Sequence, residues 1–241
     1  MTVSTASSAR ALEPAAPPAH PSALLDRARA GELGALKELE LRPPRDRTVD
    51  EALALAEGHA ALARNDAARL LADLERDPKL FEDRATMGYA YRLALDPEVA
   101  PTLLAGLAAL THPTAADLLY DLVARGEPGA RLVLLAEDLL LGPAVRGETS
   151  KPLALLLEVR AVRTCPEILA FVPRIAELGD ERLGPLLERF RSRKGCGPKN
   201  QDDCWVCLRD ESSERAFDEA AKAAADRAFS APWSTAAQRA K

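Results

Sequence analysis

Cysteines are the residues of this chain best suited to chemistry. Three of the four lie in GCGPKNQDDCWVCLRD, residues 195–210, spaced C-x7-C-x2-C, and the fourth is Cys165. Thiols at Cys196, Cys204 and Cys207 admit three chemistries. Four thiolates satisfy the tetrahedral demand of zinc, and a CxxC pair is a common arm of such a site. A CxxC with a lowered thiol pKa is a redox centre. An even number of cysteines around a loop with little core of its own is a disulfide framework.

The residues between the sulfurs separate these readings. Paired zinc knuckles bring two CxxC arms with small residues near the metal, whereas here there is one arm, and Trp205 and Val206 fill it. Asp202 and Asp203 directly precede Cys204, where their charge opposes a thiolate. No βαβ pattern surrounds the motif, as a thioredoxin-like centre requires. Structural disulfides therefore fit best and imply no cofactor. A zinc ion held by Cys165, Cys196, Cys204 and Cys207 is the alternative.

The elements around the cysteines must bring Cys165 to the others. TCPEILAFVPRIAEL and DERLGPLLERFRSRK read as an antiparallel helix pair turning at Gly179-Asp180. Equal lengths counted from that turn set Cys165 beside the residues just before Cys196. The expected bridges are Cys165–Cys196 with Cys204–Cys207, and the next candidate is Cys165–Cys207 with Cys196–Cys204.

The rest of the chain is built for helices. Apolar residues make up 47% of the sequence but aromatics only 4%, so Leu and Ala carry the hydrophobicity. Strand formers are scarce and helix formers abundant, which makes the fold class all-α. From residue 22 onward, apolar-periodic segments alternate with short Gly, Asp and Pro turns. Thr48 and Glu51 fit a capping box before a long segment that is expected to break near Asn65-Asp66. Asp96-Pro97 marks a further helix start. Asp96-x-x-Val99-x-Pro101-x-Leu103 is echoed by Asp180-x-x-Leu183-x-Pro185-x-Leu187, and Thr111-x-Pro113 by Thr164-x-Pro166. Over residues 22–194 the pattern resembles HEAT-like α-solenoids, with irregular antiparallel helix pairs stacked in a short array. A compact irregular bundle is the alternative. Residues 195–229 read as the Cys-rich loop and a capping helix with a Phe217/Ala221/Ala224 face. Residues 230–241 read as a frayed tail in which Trp233 is exposed.

Motifs for other chemistry are missing or weak. The histidines are His20 in a Pro-rich leader, His59 on a helix and His112 before Pro113; there is no HExxH, GxSxG or P-loop. Glu137-Asp138 and Asp202-Asp203 are neighbours in sequence and do not face one another on a helix. Tyr89 and Tyr91 point to different faces and read as packing residues. Glu158, Arg160 and Arg163 read as exposed helix residues. Arg189, Arg191, Arg193 and Lys194 read as cations at a helix C-terminus before Gly195. The expectation is a non-enzymatic protein-interaction module. The net charge of −5 argues against a nucleic-acid partner. No apolar run is long enough to span a bilayer.

The string GCG…DCxxCLR carries a second resemblance. Residues 115–215 resemble the Cys-rich ends of uncharacterised bacterial helical-repeat proteins, some of which look like extracytoplasmic regions of membrane-anchored Ser/Thr kinases. This resemblance implies an extracytoplasmic location, disulfides and no activity. The Ala/Pro/Ser-rich stretch 1–21 lacks the apolar core of a secretory signal. In a fragment of an anchored protein that stretch is a linker leading to the tether. In a complete chain it is a disordered leader, and the location is cytoplasmic.

Overall fold

A computed structural model describes residues 21–233, so nearly all of the expected leader and the last eight residues of the tail lie outside it. The helices are α1 (Pro21–Arg29), α2 (Leu33–Glu40), α3 (Val49–Arg76), α4 (Arg84–Ala94), α5 (Ala100–Ala109), α6 (Pro113–Arg125), α7 (Arg131–Leu141), α8 (Pro143–Arg146), α9 (Lys151–Ala161), α10 (Cys165–Leu178), α11 (Gly184–Arg191) and α12 (Glu211–Ala225). Among the described residues the fold is all-α, and the only β pairing is an isolated bridge between Cys196 and Asp202. The chain divides into two compact units, Met1–Ala63 and Arg64–Lys241, with the boundary inside α3.

In the first unit the capping box holds the start of α3. Thr48 N–H donates to Glu51 (2.9 Å), and Glu51 N–H donates to the Thr48 hydroxyl (3.2 Å). The core is Leu24, Ala28, Ala35, Leu36, Leu39, Ala54 and Leu55, with Leu25 and Leu62 packed against it. Gly58 lets α1 approach α3 closely, because a Cβ there would sit on the carbonyl oxygen of Ala28 and on the Leu36 side chain. Gly58→Ala is expected to destabilise this unit by about 1–3 kcal/mol through overpacking, read from urea unfolding of the variant against the parent.

Helix α3 runs without interruption through Asn65 and Asp66, contrary to the expected break. Both residues are only mildly unfavourable in a helix interior, and the Ala, Leu and Arg around them outweigh that cost. Asp66 is moreover occupied, accepting the Tyr89 hydroxyl at 2.8 Å.

In the second unit, α4 packs on α5, α5 and α6 pack on α7, and α10 packs on α9 and α12. Helix α5 begins at Ala100, not at Pro97. Asp96 instead caps a preceding turn, accepting Glu98 N–H at 2.9 Å. The sequence echo is a structural one: Asp180 accepts Arg182 N–H at 3.1 Å in the same way. In both copies the fourth residue, Val99 or Leu183, is fully buried, and a helix with Pro in its first turn follows. The Thr-x-Pro echo is not equivalent. Thr164 is itself the N-cap of α10, whereas Thr111 precedes the N-cap His112 and adopts φ +48°.

His112 caps α6 through Nδ1, which accepts Thr114 N–H at 3.2 Å, and its ring stacks on Phe81 at 4.0 Å. Burial pushes its pKa below the ordinary histidine value, and Glu82 only partly opposes this. The unfolded chain therefore binds the proton more readily. This contribution to stability is present above about pH 6.5 and is lost as the pH falls below it. Urea midpoints between pH 7.5 and 5.5 are expected to fall more for the parent than for His112→Asn.

Candidate functional site

The four cysteines gather at one end of the second unit as two disulfides, Cys165–Cys207 and Cys196–Cys204, with Cα separations of 5.8 and 5.2 Å. Their convergence agrees with the sequence reading. The leading pairing, Cys165–Cys196 with Cys204–Cys207, is corrected to the second candidate. The equal-length hairpin fails because the turn after Gly179 enters a 3-10 turn, Glu181–Leu183, and α11 is only eight residues long. The helix that lies along α10 is α12. These two run in the same direction, not antiparallel. Cys165 opens α10, and Cys207 sits in the 3-10 turn Val206–Leu208 just before α12. At the far end Arg227 donates to the carbonyls of Ile175 (3.1 Å), Ala176 (2.7 Å) and Gly179 (2.6 Å). The bridge fastens one end of the α10–α12 pair and Arg227 the other.

Backbone chemistry shapes the second loop. Gly195 and Gly197 adopt φ +132° and +76°, and Asn200 adopts φ +51°. These conformations let Cys196 and Asp202 exchange backbone hydrogen bonds, both 3.0 Å, across the mouth that Cys196–Cys204 closes. A Cβ at Gly197 would collide with the Asp202 carboxylate.

Polar and aromatic contacts then seat the loop. Asp203 accepts Arg209 Nε (2.6 Å) and Trp205 N–H (2.7 Å). The Arg209 hydrogen bond holds the Asp203 carboxyl below its usual range, although partial desolvation opposes it. Arg209 also donates to the carbonyls of Phe190 (3.1 Å) and Ser192 (2.9 Å), satisfying the open end of α11. Trp205, which fills the CxxC, is buried edge-on against Phe190 at 4.6 Å, and Phe190 meets Phe217 of α12 at 6.3 Å. The expected Phe217, Ala221 and Ala224 face of α12 is buried. Each sulfur is thus held in a bridge, and the groups beside them serve the packing of the loop. Among the described residues no cluster of His, Cys, Asp and Glu side chains is arranged to hold a metal.

The histidines and carboxylates singled out in the sequence do not converge on a second centre. His59 is exposed and pairs with Glu40 at 3.0 Å. The dent beside His112, Thr111 and Glu148 has no room for a water molecule. His20 lies outside the described residues. Glu137 pairs with Arg160 at 2.8 Å and Glu158 with Arg174 at 2.5 Å.

Two features escaped sequence reasoning. Trp233 is not exposed: it is 5% accessible, its indole N–H donates to Asp121 at 2.9 Å, and its ring stacks on Tyr91. The second feature is a buried charge network. Arg182 forms bonds to both oxygens of Asp180 (2.7–3.1 Å) and to Asp117 (2.6 Å), and Asp117 also accepts the Ser150 hydroxyl at 3.0 Å. The Phe229 ring covers the guanidinium at 3.8 Å. The Asp180-x-Arg182 turn was the local signal for this network, but Asp117, 65 residues from Arg182, carried none. Above the network lies an open groove of about 520 Å³ lined by α6, the start of α11 and residues 228–231. No helix among the described residues is long and apolar enough to cross a membrane. No family model, curated protein or solved structure matches the chain.

Proposed function

We propose that this chain is a non-enzymatic protein-interaction module whose C-terminal end is stapled by disulfides and which works outside the cytoplasm. The observation that carries the reading is the pair of bridges, which fasten a Gly/Pro/Asn/Asp loop and α12 onto the helical body. Bridges of this kind persist in oxidising compartments and are rare in reducing ones. The sulfurs are consumed in holding the surface together, and the histidines cap or pair at separate places. Stacked HEAT-like helix pairs over residues 64–194 are part of the same proposal. The repeated Asp-turn-Pro device at 96–103 and 180–187 supports them. So is tethering through residues 1–21, in the manner of an anchored bacterial protein.

The test uses the oxidised chain, immobilised and incubated with cell-envelope extract under quantitative cross-linking. One saturable partner, lost after reduction, is the expected result. A specific turnover abolished by a single substitution outside the core contradicts the proposal.

A further inference from the structure

The groove above Arg182 does not end at α11. A second groove of about 380 Å³ shares Tyr120, Ala124, Arg182 and Pro185 with it and continues to α9. Its floor there is apolar: Val123 of α6, Leu156 of α9 and Leu186 of α11. Arg160 and Arg189 close its far end. The two segments together form one trough: the first is lined by charges of both signs, Asp121 and Glu181 with Arg125 and Arg182, and the second is apolar with Arg160 and Arg189 beside it.

The cations at that end are held together by backbone. Arg163 donates to the carbonyls of Arg160 (2.9 Å) and Val162 (3.0 Å). Arg189 donates to the same two carbonyls, at 3.3 and 3.0 Å, and to that of Val159 at 3.0 Å. The open C-terminus of α9 thus collects guanidinium groups, as its dipole favours. Side-chain counter-charge comes from Glu137 and from Glu167, whose carboxylate accepts the Arg163 backbone N–H at 2.8 Å and interacts with the Arg163 charge. Among the described residues, Glu137 on Arg160 is the carboxylate in ion-pair contact with any of the three. That pair is half exposed, so it is weak and exchangeable. Arg189 Nε is buried without a partner among the described residues. Burial, and then the neighbouring Arg163 and Arg160, push the Arg189 guanidinium below its ordinary range. A carboxylate arriving here gains two or three cations and relieves their mutual repulsion.

We propose that this trough, with Arg160, Arg163 and Arg189 at its end, docks an acidic–apolar peptide segment of a partner protein. The proposal rests on reading the chain as an interaction module and names the chemistry of what it binds. A simple anion would leave the Val123/Leu156/Leu186 floor unused. A long polyanion would meet a protein of net charge −5. A segment with a carboxylate next to a leucine-like side chain uses both features.

The probe is a dye-labelled octapeptide of alternating Glu and Leu. It is amidated at the C-terminus so that only side-chain carboxylates are read, and its binding is followed by fluorescence anisotropy on the oxidised full chain. Saturable binding is expected, weakened about tenfold or more in Arg160→Glu/Arg163→Glu and by added salt. Replacing Glu by Gln in the peptide, or Leu186→Asp in the protein, should weaken it comparably. Arg84→Glu on α4, outside the trough, should leave it unchanged. Circular dichroism and thermal midpoints confirm that each variant is folded. No saturable binding, or binding that ignores the Arg160/Arg163 reversal, overturns the proposal. If the envelope partner is still captured and is equally indifferent to that reversal, the docking site is wrong while the interaction-module reading stands.

Discussion

Arg182→Met is expected to lower the unfolding free energy by about 3–5 kcal/mol, because it strands two buried carboxylates. The Asp117 and Asp180 side chains are 12% and 9% accessible, and Arg182 is the cation both of them contact. Asp117 would keep the Ser150 hydroxyl, and Asp180 would keep the Arg182 backbone N–H. Neither replaces a guanidinium. Packing against Phe229 would also change, though methionine conserves much of the volume. The cost is attributable to the stranded charge if Arg182→Met/Asp117→Asn/Asp180→Asn recovers most of it, since a neutral set needs no counter-ion. Urea unfolding of the parent and the two variants measures this. A loss below about 1 kcal/mol for Arg182→Met would mean that the network is solvated, because exposed ion pairs contribute no more than that.

Removal of the long bridge has the second large effect. Cys165–Cys207 spans 42 residues of sequence and Cys196–Cys204 spans 8. Loop-closure entropy alone gives about 4 kcal/mol for the first and about 2.5 kcal/mol for the second. Cys165→Ala/Cys207→Ala should therefore destabilise more than Cys196→Ala/Cys204→Ala. The two variants should also differ in kind. Without the long bridge the start of α12 is held by Phe217, Trp205, the Arg209 bonds and the exposed Arg191–Asp218 and Arg193–Glu214 pairs, so amide exchange should accelerate first in residues 203–217. Without the short bridge, acceleration should stay within 195–204. Uniform acceleration across α6 and α9 in either variant would argue that the bridges stabilise the whole unit and do not act as a local staple.

Local chemistry was readable in the sequence, and tertiary partnership was not. Thr48 and Glu51 form the expected capping box because everything needed lies within four residues. The Asp96 and Asp180 turns repeat because an Asp side chain closes its own turn without outside help. The fold class follows from Leu and Ala abundance in the same way. The helix runs on through Asn65-Asp66 because the helix formers around them outweigh a mild local cost, and the Tyr89 hydroxyl that occupies Asp66 comes from 23 residues away. Trp233 looked exposed because Asp121, which accepts its N–H, is 112 residues distant. The cysteines show both sides at once. Their convergence was legible from the helices around Cys165. Their pairing was not, because it depends on α12 lying along α10, and the weak Phe/Ala face of α12 does not say where it docks. The arginines of the trough were each legible as surface or helix-end residues. Only the fold gathers Arg160, Arg163 and Arg189 around the end of α9.

The staple is the central claim, and connectivity mapping tests it most directly. The purified chain is alkylated without reductant, then digested with trypsin and chymotrypsin and analysed by mass. Cleavage after Trp205 separates Cys204 from Cys207, which trypsin alone leaves on one peptide. The account predicts no alkylation, with one linked species joining the Cys165 and Cys207 peptides and another joining the Cys196 and Cys204 peptides. Four alkylated cysteines, or a Cys204–Cys207 bridge, would contradict it.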